Sequence, residues 1–131
     1  MNLITEDVLP SLQGRFPSPV ATCSLDGVPN ATAISQVYYV DANHVALSRQ
    51  FFNKTVRNIA ENPMACVMVT CPVTYKFRKI NLRFVESQTS GEIFEKMKLQ
   101  LDIIASMQKR TGLFKLQSSD IYEVVSIEVL G

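Results

Sequence analysis

The stretch that decides the fold is residues 45–63, VALSRQFFNKTVRNIAENP. Its apolar start, residues 45–48, predicts a short strand. Asparagine is a common helix cap, so Asn53 predicts the start of a helix that the Asn-Pro pair at the end of the stretch then stops. The first turn of a helix has unpaired backbone N–H groups. Together with Lys54 and Thr55 they predict an anion site, with phosphate as the simplest ligand.

Upstream of this stretch the pattern is that of a strand meander. Asp26-Gly27 separates residues 20–25 from residues 30–34. An Asp-Gly pair between two β-type segments is a strong signal for a hairpin. Residues 38–40 pair in the same way with residues 45–48 across a second turn.

Downstream, three more segments are predicted to be strands. Residues 65–69 are continuously apolar, which is typical of a strand buried on both faces. Residues 75–86 form a long strand whose alternation changes phase at Arg78-Lys79, and this predicts a β-bulge there. Residues 121–130 form the closing strand.

Two helices are predicted beside the strands. The first covers residues 54–61, after Asn53. The second follows a capping box at residues 89–92 and ends near Gly112. Its apolar stripe consists of Phe94, Met97, Leu101 and Ile104. Six or seven closely spaced strands with a bulge and two helices predict a mainly β fold with some α, a small antiparallel barrel with peripheral helices.

Bulk properties restrict the classes of function. A chain of 131 residues fits one domain, residues 1–131, and a net charge of +1 argues against a nucleic-acid partner. No apolar run approaches the ~18–20 residues of a membrane span, so no membrane partner is expected. The odd number of cysteines and the absence of a secretory signal at the N-terminus favour a reducing, cytoplasmic location.

No metal site is expected. A zinc site would need the three cysteines, Cys23, Cys66 and Cys71, to converge with the single histidine, His44. The simpler interpretation is that the thiols are small buried hydrophobic groups and that His44 lies in a surface turn. Four cations on the long strand either line a groove for an anion or form a solvated face, and the second is favoured: Lys76, Arg78, Lys79 and Arg83.

The anion site has a structural alternative. By themselves, Asn53, Lys54 and Thr55 fit an ordinary capped helix with a solvated lysine. Three neighbours favour a ligand: Ser48 ends the preceding strand, and Phe51-Phe52 offers aromatic surface on which a flat ring could stack.

The order of these motifs resembles a known family, the FMN-binding split barrels related to pyridoxamine 5'-phosphate oxidase. The resemblance covers nearly the whole chain and includes residues 21–30, ATCSLDGVPN, followed by the stretch that opens this section. It is closest to the small or multidomain bacterial members, some of which precede signalling domains. The implied fold is a six- or seven-stranded antiparallel split barrel.

The resemblance also implies a cofactor site. Lys54 and Thr55, after Asn53, correspond to the phosphate-binding lysine and hydroxyl, and Ser48 lies near the ribityl phosphate. The strand along the isoalloxazine ring corresponds to residues 34–37, which are Ile34, Ser35, Gln36 and Val37. In such proteins FMN lies in a cleft between two subunits, which implies a homodimer.

The expected function follows from the same resemblance. True pyridoxamine phosphate oxidases carry a C-terminal segment rich in Arg and His, whereas this chain ends at Val129-Leu130-Gly131. The expectation is therefore an FMN-dependent oxidoreductase with a small redox substrate and unknown catalytic residues. The alternatives are a flavin- or ligand-sensing module without turnover, and a related cofactor, deazaflavin or haem, in the same cleft.

Overall fold

The computed structural model describes residues 2–12, 17–49, 53–107 and 116–130, and of residues 53, 54, 56, 104, 105 and 107 it describes the backbone only. A 3-10 helix, Leu9–Leu12, precedes the first strand. The two α-helices are α1 (Asn53–Glu61) and α2 (Glu92–Met107). The strands are β1 (Ser18–Cys23), β2 (Pro29–Ile34), β3 (Val37–Asp41), β4 (His44–Arg49), β5 (Met64–Thr70), β6 (Phe77–Gln88) and β7 (Ser118–Leu130).

The seven strands form one antiparallel sheet in the order β2-β1-β5-β6-β7-β4-β3. Its two edge strands, β2 and β3, are consecutive in the chain and are separated only by Ser35 and Gln36. Because so short a link cannot cross a flat sheet, the sheet rolls up until its edges meet at these two residues. This confirms the predicted split barrel, and we call the place where the edges meet the seam.

The β1–β2 hairpin forms around Asp26-Gly27, as predicted. The turn needs a left-handed residue, and Gly27 has a φ of 83°. Amide side chains then tie the hairpin to α1: Asn30 Nδ2 donates to Thr55 Oγ1 at 3.2 Å and Asn58 Nδ2 to Thr22 Oγ1 at 3.1 Å. These bonds fix the start of α1 against the barrel.

The core lies inside the barrel, and a second, smaller core lies outside it. Inside, Val45 and Leu47 of β4 pack with Ile59 of α1. Outside, Met97 and Leu101 of α2 pack on the opposite face of the sheet, against residues that include Ala46 and Ile121. The side chains of β4 therefore alternate between the barrel interior and the face beneath α2.

The predicted phase change in the long strand was wrong. From Met64↔Arg83 to Thr70↔Phe77, the pairing of β5 with β6 is unbroken, so no bulge lies at Arg78-Lys79. The irregularities lie further along, where β6 pairs with β7. Tyr75 precedes the strand, and it and Phe77 are exposed. β5 was also predicted to be buried on both faces, but its outward residues Cys66 and Met68 are only half-buried.

Three of the four cations on this strand pair with carboxylates. Arg78 points inward, is 6% exposed, and lies 3.3 Å from Asp7. On the outer face, Lys79 pairs with Glu128 at 3.1 Å and Arg83 with Glu123 at 2.6 Å. The strand therefore does not present a row of uncompensated positive charge to an anion.

Over the described ranges, no helix has the length and apolar character needed to cross a membrane.

Candidate functional site

The seam brings Gln36 and Ser48 together. Gln36 links the two edge strands, and its backbone carbonyl accepts hydrogen bonds from Ser48 N at 3.2 Å and Ser48 Oγ at 3.4 Å. Both residues are buried, with exposures of 2% and 0%. By the alternation of β4, Ser48 lies on the face beneath α2, next to Ala46 and not in the barrel core.

The side-chain amide of Gln36 is only half satisfied. Its Nε2 donates to Oε1 of Gln100 on α2 at 2.6 Å. Its Oε1 is buried, and within the described part of the chain it has no hydrogen-bond partner. A buried acceptor left unpaired costs about 1–3 kcal/mol, so a donor that reaches this atom would be bound favourably.

A second unpartnered atom lies beside the same serine. Ser119 of β7 pairs with Ser48 of β4 in the sheet, and its side chain is fully buried. Ser119 Oγ has no partner among the described residues either. Four buried side-chain atoms of the described chain share this condition, and the two in Gln36 and Ser119 flank Ser48. We call Gln36, Ser48 and Ser119 the seam cluster.

A cavity of about 150 Å³ lies on the other face of β4, between the sheet and α1. Thr55 brings its hydroxyl to this cavity from the first turn of α1, and it is 3% exposed. Arg49, the last residue of β4, lines the opposite side. The lining residues are Arg49, Thr55, Ile59, Ala60, Phe84, Ser87, Asp120 and Tyr122.

Hydrogen bonds hold Arg49 in place. Its Nε donates to Ser118 Oγ at 2.6 Å, and Ser118 Oγ in turn donates to Asp120 Oδ1 at 2.7 Å. Ser87 Oγ donates to the same carboxylate oxygen at 2.7 Å, and Arg49 Nε lies 3.6 Å from Asp120 Oδ2. Asp120 is thus engaged on both oxygens. Within the described residues these contacts of Arg49 are made by Nε, which leaves its two terminal nitrogens to meet an anion.

The remaining wall of the cavity is aromatic. Tyr122 and Phe84 meet edge to face with ring centroids 5.5 Å apart. Burial raises the pKa of the Tyr122 phenol, and the nearby Asp120 carboxylate raises it further. Tyr122 is therefore a neutral hydroxyl at physiological pH and can donate a hydrogen bond, but it is a poor base.

The structure divides the predicted site residues into two groups. Gln36 and Ser48 meet in the seam cluster, and Thr55 lies at the cavity on the other face of β4. The side chains of Ile34 and Val37 are 2% exposed and belong to the barrel core, so only their backbones can face a ligand. Ser35 is half-buried between them.

For the other predicted residues the description is partial. Asn53 and Lys54 form the first turn of α1, as predicted, and their side chains lie outside the described set. Phe51 and Phe52 lie outside the described residues altogether. The end of β4 connects the two groups. Ser48 belongs to the seam cluster on one face of the strand, and Arg49 lines the cavity on the other face.

Sequence reasoning missed most of the residues that line the site, and among them are Arg49, Ser119 and Asp120. Ser119 and Asp120 reach the site through the pairing of β4 with β7, which joins residues about seventy positions apart. No local sequence pattern indicates such a contact. Arg49 could have been found, because it directly follows Ser48 at the predicted strand end.

Metal ligands do not converge in the described part of the chain. Its side chains contain no group of three His, Cys, Asp or Glu residues placed to hold an ion. Cys23 and Cys66 lie on the outer face of the sheet, Cys71 lies after β5, and all three are free thiols. His44 bonds Asp41 at 2.9 Å in the β3–β4 turn.

Comparison with known proteins identifies the class. The family model for pyridoxamine 5'-phosphate oxidase matches residues 4–124. The chain therefore belongs to this family. Its rolled sheet, whose edges meet at the seam, has the fold known as the FMN-binding split barrel.

Solved structures agree with this fold at low sequence identity. An FMN-binding protein from Syntrophomonas wolfei superposes with a TM-score of 0.78 at 18% identity, covering 95% of this chain and 85% of that one. An F420 reductase gives 0.69 at 15% identity, covering 95% and 98%. The haem storage protein HutZ from Vibrio cholerae gives 0.60 at 17% identity, covering 98% and 95%.

One curated relative is closer in sequence. An uncharacterised protein from Methanocaldococcus jannaschii is 38% identical over 79 residues, which is 56% of this chain. The match spans 52% of that relative, about half of its length.

Proposed function

We propose that this chain binds FMN and acts through it as an oxidoreductase. The observation that carries the proposal is the seam cluster, where Gln36 Oε1 and Ser119 Oγ are buried and have no hydrogen-bond partner in the part of the chain that the structure describes. More than nine in ten buried polar groups in proteins are paired, so two such atoms around one serine favour a polar ligand. Membership of the family supplies the candidate, FMN.

The cavity suits the phosphate end of that ligand. It offers the Thr55 hydroxyl, the terminal nitrogens of Arg49 and the free N–H groups at the start of α1. A helix N-terminus and a guanidinium both favour a phosphate dianion. Lys54, on the first turn of the same helix, adds a second positive charge.

The seam cluster suits the ring end. Bound FMN supplies hydride or single-electron chemistry from its ring. The residues of this chain bind and orient it: Gln36 and Ser119 offer polar atoms to the ring edge, and α2 covers the face of the sheet on which they lie. The neutral Tyr122 phenol and the paired Asp120 carboxylate take no proton in this scheme. The substrate therefore meets the ring and not a catalytic side chain.

A second candidate is a binding module without turnover. Its support is the existence of a haem storage protein among the structures that share this fold. The same cleft would then hold haem or an unreactive flavin, and the protein would store or sense it.

The visible spectrum of the purified chain tests the proposal. We expect flavin absorption bands, release of a compound with the mass of FMN, bleaching by NADH or NADPH without oxygen, and recovery in air. A haem spectrum would favour the storage module, and flavin that no reductant bleaches would favour the sensor. A colourless protein that also fails to bind added FMN would refute the proposal.

We also propose a homodimer. The support is the outer face of the sheet around β5. An open groove there is lined mainly by apolar and small residues, together with two asparagines, and includes Ala21, Met64, Cys66 and Val125. Residues 64–69 of β5 are all apolar, yet the isolated chain buries only one face of the strand fully. A second copy on this face would bury the other.

A further inference from the structure

We infer that Gln36 selects the ligand by pairing its side-chain amide with an imide edge, a C=O group beside an N–H group, and that Gln100 takes the place of this edge until the ligand binds. The inference rests on the proposed function, and it identifies the end of the ligand that lies at the seam.

The backbone of Gln36 is fixed by hydrogen bonds, whereas its side-chain amide is only partly paired within the described residues. Its backbone carbonyl is fixed by two hydrogen bonds from Ser48. Its Nε2 is occupied by Gln100 Oε1, whereas Oε1 is buried and unpartnered within the described residues. A primary amide places one acceptor and two donors side by side. Gln100 uses one donor, and nothing in the described chain uses the acceptor.

The side chain of Gln100 is placed so that it can move away from Gln36. It lies on the exposed side of α2, while Met97 and Leu101 of the same helix pack into the outer core. The helix therefore stays docked when the Gln100 side chain swings away. Because Gln36 is 2% exposed in this state, a ligand reaches its amide only after such a movement.

The chemistry of an amide edge defines the class of ligand. Side-chain amides recognise a donor beside an acceptor through two parallel hydrogen bonds, as they do with adenine. The pyrimidine ring of a flavin has a C=O and an N–H side by side, and a deazaflavin has the same edge. The ring nitrogens of haem coordinate iron and present no such edge. Gln36 therefore favours a flavin or deazaflavin over haem.

Opposite effects of two substitutions distinguish this role from simple packing. Gln36→Leu removes the edge and should weaken FMN binding about tenfold, the loss of one good hydrogen bond. Gln100→Ala removes a competitor for the edge and should strengthen FMN binding about two- to fivefold. A merely structural glutamine pair would give weaker binding in both variants.

The experiment is a fluorescence titration of the full chain with FMN and with 3-methyl-FMN, which lacks the imide N–H. The wild type should bind FMN about tenfold more tightly than the methylated ligand. Gln36→Leu should lose this preference, and Gln100→Ala should keep it. Leu99→Ala is the matched control, because Leu99 directly precedes Gln100 on α2 and its side chain is 63% exposed. It should behave as the wild type.

Each contrary result has a separate meaning. Equal binding of the two ligands by the wild type, or a preference that survives in Gln36→Leu, would overturn the inference and leave FMN binding intact. Weaker FMN binding by Gln100→Ala, an exposed substitution that should not impair folding, would overturn it as well. A wild type that binds neither ligand would overturn the proposed function together with this inference.

Discussion

At the scale of single residues, the buried phenol of Tyr122 in the cavity makes the stability of the fold depend on pH. Burial raises the pKa of its phenol above the value of about 10 that it has when unfolded. A group whose pKa is raised in the folded state contributes stability that is fully present below the unfolded pKa and is lost as pH rises above it. The free energy of unfolding should therefore fall above about pH 10, by up to about 1.4 kcal/mol per pH unit from this group.

Urea unfolding at a series of alkaline pH values checks this. Tyr122→Phe should make the alkaline loss of stability shallower. Tyr75→Phe, at a position that is 66% exposed, should leave it unchanged. The free energy of unfolding will still fall with rising pH in every variant, because burial also raises the pKa of the Cys66 thiol. An equal slope in the wild type and in Tyr122→Phe would contradict the prediction.

Lys54 is the residue to test at the phosphate end. It lies on the first turn of α1, directly before Thr55, at the helix N-terminus that we propose for phosphate. Lys54→Ala should weaken FMN binding by about 1.5–3 kcal/mol, the usual contribution of a charge-assisted hydrogen bond. Isothermal titration with FMN measures the change.

The control for Lys54 is Arg57→Ala. Arg57 is exposed on the same helix, so its substitution removes an equal charge one turn further from the N-terminus. It should weaken FMN binding only slightly, through long-range electrostatics. Equal losses in the two variants would mean that net charge, and not a contact with phosphate, governs the affinity.

At the scale of elements, β6 shows where reasoning from sequence failed. The alternation of Ile80 and Leu82 predicted the buried face of its first half correctly. The register with β5 continues unbroken to Phe77, and this puts Arg78 inside the barrel and Phe77 outside. A buried arginine contradicts the local hydrophobic pattern, and its carboxylate partner among the described residues is the distant Asp7.

A pair of substitutions tests which residues of β6 face the barrel interior. Leu82 is fully buried, so Leu82→Ala should cost about 2–5 kcal/mol of stability. Phe77 is 46% exposed, so Phe77→Ala should cost less than half as much, although it removes more atoms. Chemical denaturation measures both. A larger loss in Phe77→Ala would restore the phase that the sequence predicted.

The elements that could be predicted were those determined by local residues. Asp26-Gly27 sets its hairpin by turn geometry alone, and Asn53 with the Asn-Pro pair sets α1 by capping and termination. The same holds for the part of the site at the start of α1, because it is a local feature. Ser119 and Asp120 depend on how β7 pairs with β4, which the sequence does not encode locally.

At the scale of the whole molecule, the rolled sheet explains why the site has two halves. The seam buries polar side chains where β2 passes into β3, and α1 closes the barrel interior next to the end of β4. Ser48 and Arg49 are neighbours in the chain, yet they face opposite sides of one strand. A long ligand that bends around the end of β4 would reach both halves.

The homodimer is the last property that this arrangement predicts. Cys66 lies on the half-buried outer face of β5, opposite Ala21 of β1 and in the groove that we assign to a second copy. Cys66→Asp would place a carboxylate in the contact from each copy, and unpaired like charges at an interface cost several kcal/mol. The variant should sediment as a folded 14.7 kDa monomer at concentrations where the wild type is a dimer. Val73→Asp, at a position that is 78% exposed in the turn after β5, should remain a dimer. A dimer that persists in Cys66→Asp would place the interface elsewhere, and a wild type that sediments as a monomer at all concentrations would exclude the homodimer.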